Sequence, residues 1–271
     1  MPSPSVILSI AGSDSSAGAG IQADLKTISA LGGYGLTAVT SVVSETPGAV
    51  SMLRLMDAEV IADQIRVLLA GFPVAAAKIG MVGGREQIEA VASAWVAHQG
   101  DGARPLVVDP VMVATSGGRL LEDDAVTLLC ERLFPLATLL TPNMDEAAVL
   151  WQRPVKNRAD MAACAQDLAD RFQTHLLVKG GHLTGDRAAD ILVTADGAQW
   201  LEAPRTPGVH THGTGCTYSA AIATGLGQGL PLSEAVARGK AFVSRAIDQH
   251  HAWTTAPGEI HALNHLQQIA P

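Results

Sequence analysis

The sequence predicts an α/β protein built on a mostly parallel sheet with helices on both faces. Three observations lead there. Short β-rich apolar runs alternate with longer segments of helical periodicity along most of the chain. The composition is 48% hydrophobic but only 4% aromatic, and Ala, Gly and Val abound, a balance suited to helices packed closely on parallel strands. Polar or glycine-rich sequence recurs where strands end, which is where ligands gather in such sheets.

The elements follow in order. Ser5 to Ala11 reads as a strand that ends in the polar loop Gly12 to Gly20, and residues 21–31 read as a helix stopped by Gly32 and Gly33. Leu36 to Val43, dense in Thr and Val, is a second strand, followed by Ser44-Glu45-Thr46-Pro47-Gly48. Val60 to Leu69 carries apolar residues at 61, 65 and 68, a helical spacing, and Val74 to Ile79 is a third strand. Helices over 87–98, 124–133, 143–151 and 159–172 then alternate with strands over 105–109, 138–141 and 175–179. Residues 188–194 and 198–203 flank Asp196-Gly197, a dipeptide that favours a hairpin turn. A small-residue helix after Gly215 and an amphipathic one over 232–247 complete the pattern, and no linker or repeat divides residues 1–271.

The chain is long enough to bury a large core, and only 16% of its residues are charged. A net charge of -8 argues against a nucleic-acid or anionic-membrane surface, yet local peptide dipoles can still bind an anion. The start, MPSPSVILSIAG, lacks the basic and apolar regions of a secretory signal, and no run of about 18 apolar residues predicts a membrane span. Cys130, Cys164 and Cys216 are odd in number and widely spaced, so a reduced cytoplasmic setting is expected.

The stretch His210-Thr-His-Gly-Thr-Gly-Cys216-Thr217 leads directly into the small-residue helix. Peptide N–H groups converge at such a junction, so Gly213, Thr214 and Gly215 predict an anion site. Cys216 lies inside it, where a helix N-terminus tends to lower a thiol's pKa. The same glycines would also suit tight helix–sheet packing. Gly18-Ala-Gly20-Ile-Gln-Ala23 formally matches a dinucleotide fingerprint, but several polar residues separate it from the strand. A loop closing over a small molecule fits better, with Asp24 one turn into the helix, either meeting substrate or complementing the helix dipole.

Asn143 and Glu146 share a helical face, as a capping box or as a place for Glu146 to hold Mg²⁺ through water. Asp109, at a strand end, is a second acid for that shell. Lys179-Gly-Gly-His182 ends another strand, where the lysine could reach a phosphate and the glycines admit a nucleotide. Lys240 reads either as a nucleotide contact or as a solvated helix charge.

In this order, AGSDSSAGAGIQADLKTISALGGYGLTAVTSV (11–42), KIGMVG (78–83), VVDPVMVATSG (107–117), LLTPNMDEA (139–147), LVKGGH (177–182) and HTHGTGCTYSAAIA (210–223) resemble the hydroxymethylpyrimidine/phosphomethylpyrimidine kinases of thiamine biosynthesis, within the ribokinase-like superfamily. The resemblance implies a three-layer α/β/α sandwich and a single kinase domain. It implies ATP-dependent phosphorylation of 4-amino-5-hydroxymethyl-2-methylpyrimidine, then of its monophosphate, with Mg²⁺, in a homodimer. Cys216 would stand where sugar kinases of the superfamily have an aspartate base, beside an anion hole of Gly213, Thr214 and Gly215. Gly12, Gly20, Asp24, Glu45, Met81 and Val111 would line the pyrimidine pocket. Lys179, Thr211, Asn143 and Lys240 would serve ATP, and Glu146 and Asp109 the metal.

One position departs. The family usually carries Gln-Asn-Thr after the second strand, and this chain has Ser44-Glu45-Thr46. Glutamine both accepts and donates, whereas ionised glutamate only accepts. Competing readings are a pyridoxal-type vitamin kinase, a Cys–His hydrolase using Cys216 with His210 or His212, and a pyrimidine-binding protein without strong catalysis.

Overall fold

A computed structural model describes residues 3–100, 104–112, 123–209, 212–255 and 258–266. Its centre is a nine-stranded sheet in the order β3-β2-β1-β4-β5-β6-β7-β8-β9. The strands are β1 (Val6–Asp14), β2 (Tyr34–Thr46), β3 (Ala49–Leu55), β4 (Val74–Ile79), β5 (Leu106–Val108), β6 (Leu139–Leu140), β7 (His175–Val178), β8 (Arg187–Thr194) and β9 (Gly197–Pro204). The run from β2 through β7 is parallel, while β3, β8 and β9 are joined antiparallel to their neighbours. The helices are α1 (Gly20–Ala30), α2 (Ala58–Gly71), α3 (Arg85–His98), α4 (Asp123–Arg132), α5 (Met144–Trp151), α6 (Arg158–Phe172), α7 (Thr214–Gly227) and α8 (Leu232–Asp248).

Alternation along the strands produces two cores. Leu8 and Ile10 of β1, Ala77 and Ile79 of β4, Leu106 and Val108 of β5 pack with residues of α2 to α6, including Ile65, Trp95 and Leu168. The intervening residues Ile7, Ala76 and Val107 pack instead with Ile28 of α1, Tyr218 and Ile222 of α7, and Val236 and Val243 of α8. A two-residue side-chain period feeding both faces makes the three-layer sandwich. The central strands are accordingly near-continuous apolar runs.

Three strands lie outside the sequence expectations. β3 is almost wholly exposed, so it lacks the half-buried alternation that marks a strand. The hairpin of β10 (His251–Thr255) and β11 (Gly258–Ala262) is likewise mostly exposed. No helix among the described residues is long and apolar enough to cross a membrane.

Candidate active site

The polar residues of the central strands share one parity. Ser9 and Lys78 are directly opposite partners in the β1–β4 ladder, on the same face as Ile7 and Ala76. Asp109 follows Val107 by two residues and so faces the same way. All three therefore meet α1 and α7 near the carboxyl ends of the parallel strands. Lys78 is fully buried, and its Nζ lies 3.0 and 2.9 Å from the two carboxylate oxygens of Asp24 on α1. Ser9 Oγ donates to Asp24 Oδ2 at 2.5 Å. Burial by itself would favour the neutral amine, but Asp24, Cys216 and Asp109 together outweigh it and the Lys78 pKa is pushed up.

The start of α7 is built by Gly213. Its φ of 81° is left-handed, and a side chain there would collide with the Gly18 carbonyl. Loop 12–20 is thereby stacked on the turn that opens the helix. No side chain caps α7, whose first internal bond runs from Thr217 N–H to Gly213 O at 2.9 Å. The first-turn N–H groups of Thr214, Gly215 and Cys216 are thus the donors that a helix start leaves for an anion.

Lys179 reinforces the same point. A Cβ on Gly215 would lie only 3.0 Å from Lys179 Nζ and 3.3 Å from Asp109 Oδ2. Lys179 Nζ donates to Asp109 Oδ1 at 2.6 Å, where Thr141 Oγ1 also donates at 3.1 Å. Ser219 Oγ, on α7, reaches Asp109 Oδ2 at 3.3 Å. Burial opposes the Lys179 charge, but Asp109 and then Glu146 outweigh it and raise its pKa.

Cys216 is half-buried beside these groups, with the Gly20 N–H directed at its sulfur. Its pKa is raised, chiefly by burial; Lys78 opposes this and the Asp24 and Asp109 charges add to it. The direction is opposite to the lowering expected at a helix N-terminus, with desolvation the largest cause and two acids adding to it.

Asn143 and Glu146 form the capping box of α5. Asn143 Oδ1 accepts from Asp145 N–H and Glu146 N–H at 2.9 Å each, and Glu146 Oε2 accepts from Asn143 N–H at 2.8 Å. Burial pushes the Glu146 pKa up to about 7, with Lys179 opposing and Asp109 adding. A buried carboxyl in that state is short of positive charge, and so suited to a cation's water shell. Asp109 is less suited to direct ligation, since Lys179, Thr141 and Ser219 engage both of its oxygens.

On the other side of loop 12–20 stand the ring-pocket candidates. A side chain at Gly20, whose φ is 56°, would strike the Gly12 carbonyl, and a Cβ on Gly12 would lie 2.9 Å from Met81 Cε. Met81 O accepts from Thr40 Oγ1 at 2.6 Å. Val111 N–H bonds to Asp109 O at 2.8 Å, which places Val111 beside the acid. Glu45, with its side chain 14% exposed, lies one residue before the end of β2 and faces His212. Contacts thus run from Glu45 through loop 12–20 to Cys216.

A phosphomethylpyrimidine kinase family profile matches residues 14–261. The chain belongs to this family. It is 46% identical over 247 residues to the hydroxymethylpyrimidine/phosphomethylpyrimidine kinase of Rhizobium meliloti, covering 89% of this chain and 90% of that one. Among solved structures, it resembles an ADP complex of Bacillus subtilis pyridoxal kinase with a TM-score of 0.87 at 33% identity, over 97% and 98% of the two chains. It also resembles phosphomethylpyrimidine kinase from Clostridium difficile 630, with a TM-score of 0.77 at 36% identity, over 89% and 99%. The fold is ribokinase-like.

Two of the expected site residues have buried ionic partners. Asp24 is fully buried on α1 and its carboxylate bonds Lys78 and Ser9, since a lysine inside the strand VAAAKI requires a buried counter-ion. Lys240 is neither a solvated charge nor at the anion corner. It is 8% exposed and its Nζ lies 2.6 Å from Asp190 Oδ2. Asp190 Oδ1 accepts from Gly180 N–H at 2.9 Å, so Lys240 braces the turn after Lys179 at one remove. Thr211 and His210 lie outside the described residues.

Two participants had no role of their own in the sequence reading, although both lie in strand-end stretches it singles out. Lys78 is signalled by its place in an apolar strand. Asp14 is one of the small polar residues of loop 12–20; its carboxylate accepts from Ser16, Gly18 and Ala19 N–H and from His212.

Proposed function

We propose that this chain transfers the terminal phosphoryl group of ATP to the hydroxymethyl oxygen of 4-amino-5-hydroxymethyl-2-methylpyrimidine, and then phosphorylates the monophosphate. The observation that carries the reading is the uncapped start of α7, with Lys179 pressed against Gly215 and loop 12–20 stacked on Gly213. Phosphoryl transfer needs mainly positioning and neutralisation of charge on the transferred group. The N–H groups of residues 213–216 and the Lys179 ammonium would supply that neutralisation. Cys216, between the ring pocket and this corner, would orient the hydroxyl and accept its proton as thiolate.

Glu146, through water, would hold Mg²⁺, with Asp109 behind it, and the metal would supply positive charge against the donor phosphates. Asn143 would fix Glu146 through the capping box, and Lys240 would hold the Lys179 turn through Asp190. Glu45, Met81, Gly12, Gly20 and Val111 would surround the ring. We further place the chain as a single kinase domain, homodimeric and cytoplasmic; three free thiols suit a reducing compartment.

The decisive assay is ATP-dependent product formation with the aminopyrimidine alcohol, its monophosphate, pyridoxine and pyridoxal. Preferred turnover of the first two supports the assignment. The likeness to pyridoxal kinases makes pyridoxal the second candidate, and its preferential turnover would reassign the ring. A hydrolase pairing Cys216 with His212 is disfavoured, because His212 Nε2 faces Asp14 and Glu45.

A further inference from the structure

Asp14, Glu45 and His212 come from three separate segments and meet at one point. Their nearest ligating atoms all lie within 4.8 Å of one another. His212 Nε2 is 3.1 Å from Asp14 Oδ2 and 3.8 Å from Glu45 Oε2. Asp14 is buried, and its Oδ2 also accepts from Gly18 N–H at 3.0 Å and Ala19 N–H at 2.7 Å. Its Oδ1 accepts from Ser16 N–H and Ser16 Oγ at 2.7 Å each. A carboxyl surrounded by donors is held ionised. These donors also leave it little capacity for a metal ion, although the trio has metal-ligand spacing.

Glu45 is different. Its backbone is fixed, since Glu45 N–H donates to Ser15 Oγ at 2.8 Å and Ser15 Oγ donates back to Glu45 O at 2.9 Å. Among the described residues its side chain interacts with His212, which favours its ionised form, and with Asp14, which opposes it. An edge made of an amino group beside a ring nitrogen needs one acceptor and one donor opposite it. Glutamine supplies both; an ionised glutamate supplies only acceptors. A pairing with Glu45 therefore closes only if it contains one proton, on the carboxyl or on the ring.

We propose that Asp14, His212 and Glu45 form a proton-sharing recognition triad, in which Glu45 grips an aminopyrimidine edge through a pair containing one extra proton and His212, seated on Asp14, sets how readily Glu45 holds it. The proposal rests on the aminopyrimidine reading above. The proton comes from solvent, and no covalent bond changes. His212 is a positioning residue: its positive charge offsets Asp14, without which two carboxylates would face each other. Burial and Asp14 push the Glu45 pKa up against the pull of His212, the direction such a trio requires.

The test is the pH dependence of KM for 4-amino-5-hydroxymethyl-2-methylpyrimidine from pH 6 to 9, at saturating ATP. The enzyme as found should lose affinity by about tenfold per pH unit above its onset, as one-proton linkage dictates. Glu45→Gln should be flat with pH. His212→Gln keeps a donor for Asp14 but not the charge, so its onset should move to higher pH with KM for ATP unchanged. In the Glu45→Gln background, His212→Gln should have no further effect on the aminopyrimidine KM. A flat profile for the enzyme as found, or an unshifted onset in His212→Gln, overturns the triad while leaving the kinase assignment intact. Absence of aminopyrimidine phosphorylation at every pH overturns both.

Discussion

Lys179 Nζ lies 2.6 Å from Asp109 Oδ1 and against the space a side chain on Gly215 would fill. This contact joins the end of β7, the end of β5 and the first turn of α7 into one corner. Gly215→Ala would push the ammonium away from the uncapped helix. The expected outcome is a fall in kcat of about 10²-fold, the scale set by a misplacement near 1 Å, with thermal stability little changed. Steady-state kinetics alongside a melting curve checks both parts.

Cys216 carries a thiol whose pKa burial has raised. The thiolate is then a minority form at neutral pH, and its population grows as pH rises. If that thiolate accepts the hydroxyl proton, kcat should climb through pH 7–9. Cys216→Ala should lose about 10²–10⁴-fold in kcat and lose the climb, while nucleotide affinity stays near its original value. A Cys216→Ala enzyme with the original rate and profile would remove Cys216 from the chemistry.

Asp24 and Lys78 are both fully buried, so neither charge has water to fall back on. Lys78→Met strands the Asp24 carboxylate and should cost about 3–5 kcal/mol. Replacing both, as Asp24→Leu with Lys78→Met, should recover most of that loss. Chemical denaturation of the two variants measures the difference directly.

Much of the architecture could be read in the residues. The central strands are apolar runs because helices cover both of their faces, and each following helix shows its own period. β3 was silent because its side chains are exposed, and the terminal hairpin for the same reason. The anion corner was legible from Gly213, Gly215 and Lys179, since backbone geometry demands those residues locally. The ion pair of Asp24 was not legible because its partner Lys78 is 54 positions away, and no local spacing reveals such a pair. The raised pKa of the Cys216 thiol was not legible for a related reason: its burial and its acidic neighbours Asp24 and Asp109 come from distant elements.

Glu146 has a folded pKa of about 7 against an ordinary value of 4.5. The fold disfavours its ionised form, so stability is greater below pH 4.5 and falls as pH rises toward 7. The loss approaches about 3 kcal/mol for a shift of this size. Glu146→Gln should abolish that contribution and stabilise the protein at pH 8 while impairing turnover. Unfolding free energies at pH 5 and pH 8, with and without Mg²⁺, check it; added Mg²⁺ should stabilise only the glutamate form.

His265 works in the opposite sense. Thr217 Oγ1 and His265 Nε2 lie 2.9 Å apart in a buried contact with α7, and burial lowers the imidazole pKa to about 4. The neutral ring is the native form, so its contribution is full above pH 6.5 and declines as pH falls toward 4. An acid-side loss of up to about 3 kcal/mol is expected, and His265→Gln should flatten it in a pH series of melting curves.

The whole account turns on where the phosphoryl group lies as it transfers. A crystal structure with ADP, Mg²⁺, a metal fluoride and the aminopyrimidine alcohol measures that position. The fluoride should sit within hydrogen-bonding distance of the N–H groups of residues 213–216, facing Lys179 and next to Cys216. A metal fluoride bound away from that turn would contradict the account.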